Sequence, residues 1–167
     1  MLLDSVSRRS FPSRFASLFS ALGFATLSGK SAEAGTPSQD AVRKLNDEGK
    51  TAEGTQMITP IVAHNGLIYV AGQGAHDEGP ASSWEIGAHT TNVLNKVKKL
   101  VEAGGSSMEN IVQLSVFLAK IDDYDGMNKV FKTYFPHGGP ARTTVAVAAL
   151  PGNSLVEINC IAALSKS

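Results

Sequence analysis

Apolar residues recur along this chain with two different periods, and the changes of period mark its elements. Thr59 to His64 and Leu67 to Ala71 are short β-branched and aromatic runs. Asn65-Gly66 between them suits the left-handed dihedrals of a tight hairpin. Ile86, Thr90, Val93, Leu94, Val97, Leu100 and Val101 then recur at helical spacing, with Asn92, Asn95, Lys96, Lys99 and Glu102 on the other side. Ser82 and Glu85 form a capping box ahead of that stripe, and Gly104-Gly105 ends it. Val112, Leu114, Val116 and Leu118 alternate as a strand. Asp122 can cap a second helix, with the stripe Tyr124, Met127, Phe131, Tyr134 and Phe135 and a stop at Pro136. Ala41 to Leu45 supplies a short first strand, and Gly72 to Ser83 a loop rich in Gly and Pro. The order strands, helix, strand, helix, strands specifies an α+β fold, a mixed sheet with helices laid on one face.

The last stretch is the most informative. The stretch Gly138 to Ala163 reads as two strands joined by the turn Leu150-Pro151-Gly152-Asn153. Val145 and Val147 share one parity, and Val156, Ile158 and Cys160 make an apolar set. If both sets face one core, Arg142, Thr144, Glu157 and Asn159 share the opposite face. Arg142 follows Pro140-Ala141 at a strand entrance, and its planar fork fits a carboxylate through two parallel hydrogen bonds. A lone Arg and Glu on a sheet face are, in the plainest reading, a solvated pair. Pairing around the turn would also hold Glu157 several residues from the position opposite Arg142. Either the two strands are not sheet neighbours, or different subunits complete a shared site.

Composition changes the picture mainly at the N-terminus. Lys plus Arg number 15, as do Asp plus Glu. No apolar run reaches the length of about 18 residues that a spanning helix needs. Residues 1–34 differ from the rest: Ser7-Arg8-Arg9-Ser10-Phe11 precedes a short apolar stretch, Phe15 to Leu27, and the small-residue site Ala32-Glu33-Ala34 follows. This reads as a twin-arginine export signal cleaved before Gly35, with a periplasmic or secreted destination; the alternative is a mitochondrial leader. Residues 35–41 then form a flexible tether and 42–167 the folded domain. The leader holds four of the basic residues (Arg8, Arg9, Arg14, Lys30) and two of the acidic ones (Asp4, Glu33), leaving 11 and 13 in the mature chain. A formal charge of −2 speaks against nucleic acid as a partner. Cys160 is the only cysteine, so no intrachain disulfide forms, and its place in an apolar set marks a buried, inert thiol.

Pro140-Ala141-Arg142-Thr143, Leu150-Pro151, Val156-Glu157-Ile158 and Ile161-Ala162 resemble the C-terminal signature of the Rid/YjgF family, the reactive-intermediate deaminases. Gly66 to Gln73, Val101-Glu102-Ala103-Gly104 and Asp122-Asp123-Tyr124 with Asn128 resemble it in the same order. The similarity runs from about residue 42 to 164. It implies a chorismate-mutase-like mixed six-stranded sheet with two helices on one face, assembled as a homotrimer with clefts between subunits. It further implies hydrolytic deamination of 2-enamine or 2-imine acids, such as 2-aminoacrylate, to 2-oxo acids and ammonia, without a cofactor. Arg142 would clamp the substrate carboxylate, the backbone of Thr144 would hold the reacting nitrogen or water, and Glu157 would orient that water and move protons. Asn128 and Gly72 would line the substrate site. The chain departs from the family in three places: Ile58 stands where a tyrosine is frequent, Thr143-Thr144 where Ser-Cys is, and Asn159 where a second glutamate is.

Other chemistries find little in the residues. His64, His76, His89 and His137 are scattered without metal-ligand spacing, no dinucleotide fingerprint opens a helix, and no Gly-x-Ser-x-Gly elbow presents a nucleophile. Two rivals to the deaminase stay open: a non-catalytic trimeric module binding small carboxylates, and an RNA-cleaving activity sometimes attributed to the family.

Overall fold

A computed structural model describes residues 41–76 and 85–165, all within the unit Thr36–Ser167. The export signal expected at 1–34 lies outside the described residues, as do 35–40 of the tether and Ser82 of the capping box. The described elements are β1 (Arg43–Leu45), β2 (Ile61–His64), β3 (Leu67–Gly74), α1 (Ile86–Ala103), β4 (Ile111–Leu118), α2 (Tyr124–Tyr134), β5 (Ala141–Ala146) and β6 (Val156–Ala163). The strands form one six-stranded sheet in the order β1-β2-β3-β6-β4-β5. Every neighbouring pair is antiparallel except β4 and β5, which run parallel. This is the mixed sheet expected from the sequence. β4 lies between β5 and β6, so the two C-terminal strands are not neighbours.

Local chemistry accounts for the punctuation. Asn65 (φ 49°) and Gly66 (φ 74°) both take left-handed dihedrals, as a two-residue hairpin turn requires. α1 ends with Gly105 at φ 86°, while Ser106 N donates to Val101 O (3.0 Å) and Gly105 N to Glu102 O (3.0 Å). These bonds satisfy carbonyls that the last turn would leave open. α1 begins at Ile86 with Glu85 at its N-cap, without a side-chain cap. α2 begins one residue later than Asp122 would cap it, because Ile121–Asp123 form a 3₁₀ turn and Asp123 is the N-cap.

The core lies between one sheet face and the helices. Ile61, Ile68, Leu114, Val116, Val156 and Ile158 point from the strands at Val93, Leu94, Val97 and Met127, all fully buried. α1 crosses β3 and β6, and α2 packs on α1. Tyr134 links the two helices: its hydroxyl donates to Asn95 Oδ1 (2.7 Å), and burial raises its pKa. Ile158 sits on the strand between β3 and β4, opposite Val116. Ile158→Ala is expected to cost about 3 kcal/mol and lower Tm by roughly 10 °C in a domain of this size, as thermal unfolding would show.

Two strand faces differ from the expectation. The alternation in β4 assigns Val112 to the core, yet Val112 is exposed and Ile111 buried. The cause is a bulge against β6: Ile111 pairs with Ala162 and Gln113 with Ile161, so Val112 is an extra residue that resets the phase. In β5, Arg142 pairs with Leu114 and Thr144 with Val116, which are core residues. Arg142 and Thr144 therefore lie on the helix face. Val145 lies on the bare face, beside Phe117 and Glu157. The shared face for Arg142, Thr144, Glu157 and Asn159 is thus corrected: Glu157 and Asn159 lie on the bare face, the other two beneath α2. The parallel register with β4 sets the face of β5, and the alternation of Val145 and Val147 does not.

Candidate active site

Arg142 enters from β5 beneath α2. Its Nη2 donates to Tyr124 Oη (3.2 Å), and Nη1 lies 4.0 Å from Met127 Sδ. The guanidinium carbon is 4.6 Å from the Phe131 ring centroid and 5.7 Å from that of Tyr124. Ring faces attract a cation without neutralising it. Among the described residues, no carboxylate pairs with Arg142, whereas Lys50 pairs with Glu48, Lys98 with Glu102 and Lys99 with Asp47. Tyr124 and the two rings orient the group, and no described carboxylate neutralises it. It opens on a cavity of about 520 Å³ lined by Asp125, Asn128, Lys129, Lys132 and Arg142 itself.

β5 is also an edge of the sheet. Val147 N donates to Leu118 O (2.9 Å), which fixes the phase of the strand. Odd-numbered residues turn their backbone groups to β4, so the N–H and C=O of Arg142 and Thr144 face out of the free edge. Thr144 Oγ1 points inward and is buried without a hydrogen-bond partner among the described residues. The cavity thus adjoins a fixed cation and a strand edge with unused donors and acceptors.

Glu157 is elsewhere. It lies on the bare face of β6, three residues along from Cys160, the residue that aligns with Arg142 through Leu114. At about 3.3 Å per residue along the strand and about 4.8 Å between strands, the two side chains cannot meet within one copy. Glu157 instead covers Gly72. A β-carbon added at Gly72 would overlap Glu157 Oε1, so the missing side chain makes room for the carboxylate. Gly72 falls in a bulge of β3 between Val70 and Gln73. The residues expected for the site therefore fall into two groups, Arg142 with Thr144 and Asn128, and Glu157 with Gly72.

Sequence reasoning missed the cradle of Arg142. Tyr124, Met127 and Phe131 recur at helical spacing and read as plain core residues. Nothing in that spacing separates a stripe that packs on apolar neighbours from one that carries a guanidinium. Ile58, where the family frequently has tyrosine, is on an exposed segment before β2. His89 is buried and accepts from Leu155 N at Nδ1 (3.1 Å), and His76 Nδ1 lies 3.2 Å from Pro151 O. Both tie down the segment leading into β6. Burial in β6 pushes the Cys160 thiol up to about 12. It is thus a neutral thiol at neutral pH, and a thiol reagent is expected to modify it only after denaturant is added. Rapid labelling of the native protein would contradict that burial.

The family model described as Endoribonuclease L-PSP matches residues 52–164. The chain belongs to that family, the Rid/YjgF proteins. Its relatives include "Protein mmf2, mitochondrial" of Schizosaccharomyces pombe, 38% identical over 105 residues, or 61% of this chain and 83% of that one. Another is the 2-iminobutanoate/2-iminopropanoate deaminase of Rattus norvegicus, 32% identical over 123 residues, or 72% of this chain and 90% of that one. Among solved structures, the YjgF gene product of E. coli superposes with a TM-score of 0.61 at 28% identity, over 72% of this chain and 98% of that one. The family match covers both groups of site residues. No helix among the described residues is long and apolar enough to cross a membrane.

Proposed function

We propose that this chain hydrolyses 2-enamine and 2-imine acids to 2-oxo acids and ammonia, in sites shared between subunits of a homotrimer. One observation carries the reading: Arg142 is oriented by Tyr124 and Phe131, has no carboxylate partner among the described residues, and faces a cavity at a strand edge. The names of the rat relative and of the Arabidopsis thaliana relative "Reactive Intermediate Deaminase A, chloroplastic" supply the reaction class.

The chemistry asked of the protein is modest. A 2-enamine acid becomes the imine by protonation at carbon. Water then adds across C=N, the nitrogen takes a proton, and the C–N bond breaks to release ammonia. Arg142 grips the carboxylate with two charge-assisted hydrogen bonds and so fixes the imine carbon. The edge-facing backbone of Thr144 holds the reacting nitrogen or the water, and Asn128 lines the approach. Glu157 orients the water and moves protons. It comes from a neighbouring copy, because its own copy keeps it on the opposite sheet face.

The test is ammonia release from enzymatically generated 2-aminoacrylate. The protein should accelerate it well beyond buffer, and a rate equal to buffer would end the proposal. The same ligand site without turnover would mark a binding module instead. The family description names an endoribonuclease. Against that activity stand the 11 basic and 13 acidic residues that remain once the leader is removed. For localisation, the leader rich in Arg and Ser suits export or mitochondrial import, and the name of the S. pombe relative supports the mitochondrial alternative.

A further inference from the structure

The cavity beside Arg142 holds more positive charge than one carboxylate needs. Asp125, Asn128, Lys129 and Lys132 stand at i, i+3, i+4 and i+7 on α2 and so form a single stripe. That stripe and Arg142 line the cavity. Among the described residues of the lining, Arg142, Lys129 and Lys132 face it with Asp125 as the sole carboxylate, a formal charge of +2. Two lysines of α1 behave differently, since Lys98 pairs with Glu102 (3.9 Å) and Lys99 with Asp47 (3.2 Å). Among the described residues neither Lys129 nor Lys132 is in an ion pair, although Asp125 is four residues from Lys129.

We infer that this cavity selects 2-imino acids carrying a second carboxylate, which Lys129 and Lys132 take up while Arg142 holds the first. The class is that of imines of acidic four- or five-carbon 2-amino acids. The inference rests on the reading of Arg142 as the carboxylate clamp. The reaction is unchanged: water adds across C=N, ammonia leaves, and the product is a 2-oxo dicarboxylic acid with both carboxylates intact. A two-electron oxidation of an acidic 2-amino acid at its C–N bond supplies such a substrate, and so does β-elimination from a 3-substituted one through its enamine. Flexible ammonium groups suit this role, since they follow diacids of slightly different length as point charges.

The experiment generates 2-iminobutanoate, 2-iminosuccinate and 2-iminoglutarate in situ with amino-acid oxidases and follows ammonia release. The wild type is compared with Lys129→Gln/Lys132→Gln and with Lys129→Arg/Lys132→Arg. The ratio of kcat/KM for a diacid to that for 2-iminobutanoate should fall at least about tenfold in the Gln pair. The Arg pair should retain the ratio, and added salt should shrink it. A ratio unchanged by the Gln pair overturns the inference. A parallel measurement needs no turnover. 2-Oxoglutarate should raise Tm more than 2-oxobutanoate does, and the Gln pair should lose that excess. Inorganic phosphate stabilising as strongly as 2-oxoglutarate would overturn the inference, because it would mark an unselective anion site. If Arg142→Ala leaves every rate unchanged, the clamp reading itself fails, whatever the lysine variants do.

Discussion

Arg142→Ala is expected to lower kcat/KM for a 2-imino acid by about 100-fold or more. A bidentate charge-assisted contact is worth roughly 3 kcal/mol or more, and each 1.4 kcal/mol is tenfold. Much of the loss should fall on kcat, since the clamp fixes the imine carbon as well as binding the acid. Stability should change little. The guanidinium is half-buried, and its stacking on Phe131 is worth about 1 kcal/mol. Arg142→Lys should recover part of the binding without the planar grip. Ammonia release measured beside Tm separates these effects, and a variant that unfolds at its wild-type temperature with full activity would remove Arg142 from the site.

Mixing two impaired variants should restore activity. Arg142→Ala and Glu157→Ala are each expected to keep only a small residue of activity as pure proteins. In trimers refolded from an equal mixture, a site survives where an intact Arg142 meets an intact Glu157 of the next copy. With random assembly that is about a quarter of the sites. The expectation follows from the registers. Arg142 is level with Leu114 and Cys160 beneath α2, and Glu157 is level with Phe117 and Val145 on the other face. Mixtures as silent as their components would show that the two residues never serve one site.

Much of the fold could be read from residue pattern alone. The Asn65-Gly66 hairpin, the α1 stripe from Ile86 to Val101 and the core phase of Leu114, Val116 and Leu118 follow from local periodicity. Where the pattern fails, a non-local contact decides. Val112 is turned outward by a bulge whose partner, Ala162, is distant in sequence. Val145 lies outside the core because β5 pairs in parallel with β4, a register that no alternation within β5 reveals. Arg142 and Glu157 could be picked out as candidates through the family resemblance. Their separation onto two faces, and the seat of Arg142 among Tyr124, Met127 and Phe131, belong to tertiary structure. Gly72 is a similar case. Its sequence context marks only a strand end, while its value lies in the Glu157 side chain above it.

The helix-free side of the sheet shows Tyr69 and Val145 41% and 42% exposed, with Phe117 and Ile161 half-covered among them. An uncovered apolar surface of that kind ties a protein's durability to how crowded it is with its own kind. Specific activity should then sink as a stock is diluted, and a preparation judged at nanomolar strength would look poorer than the same material kept concentrated.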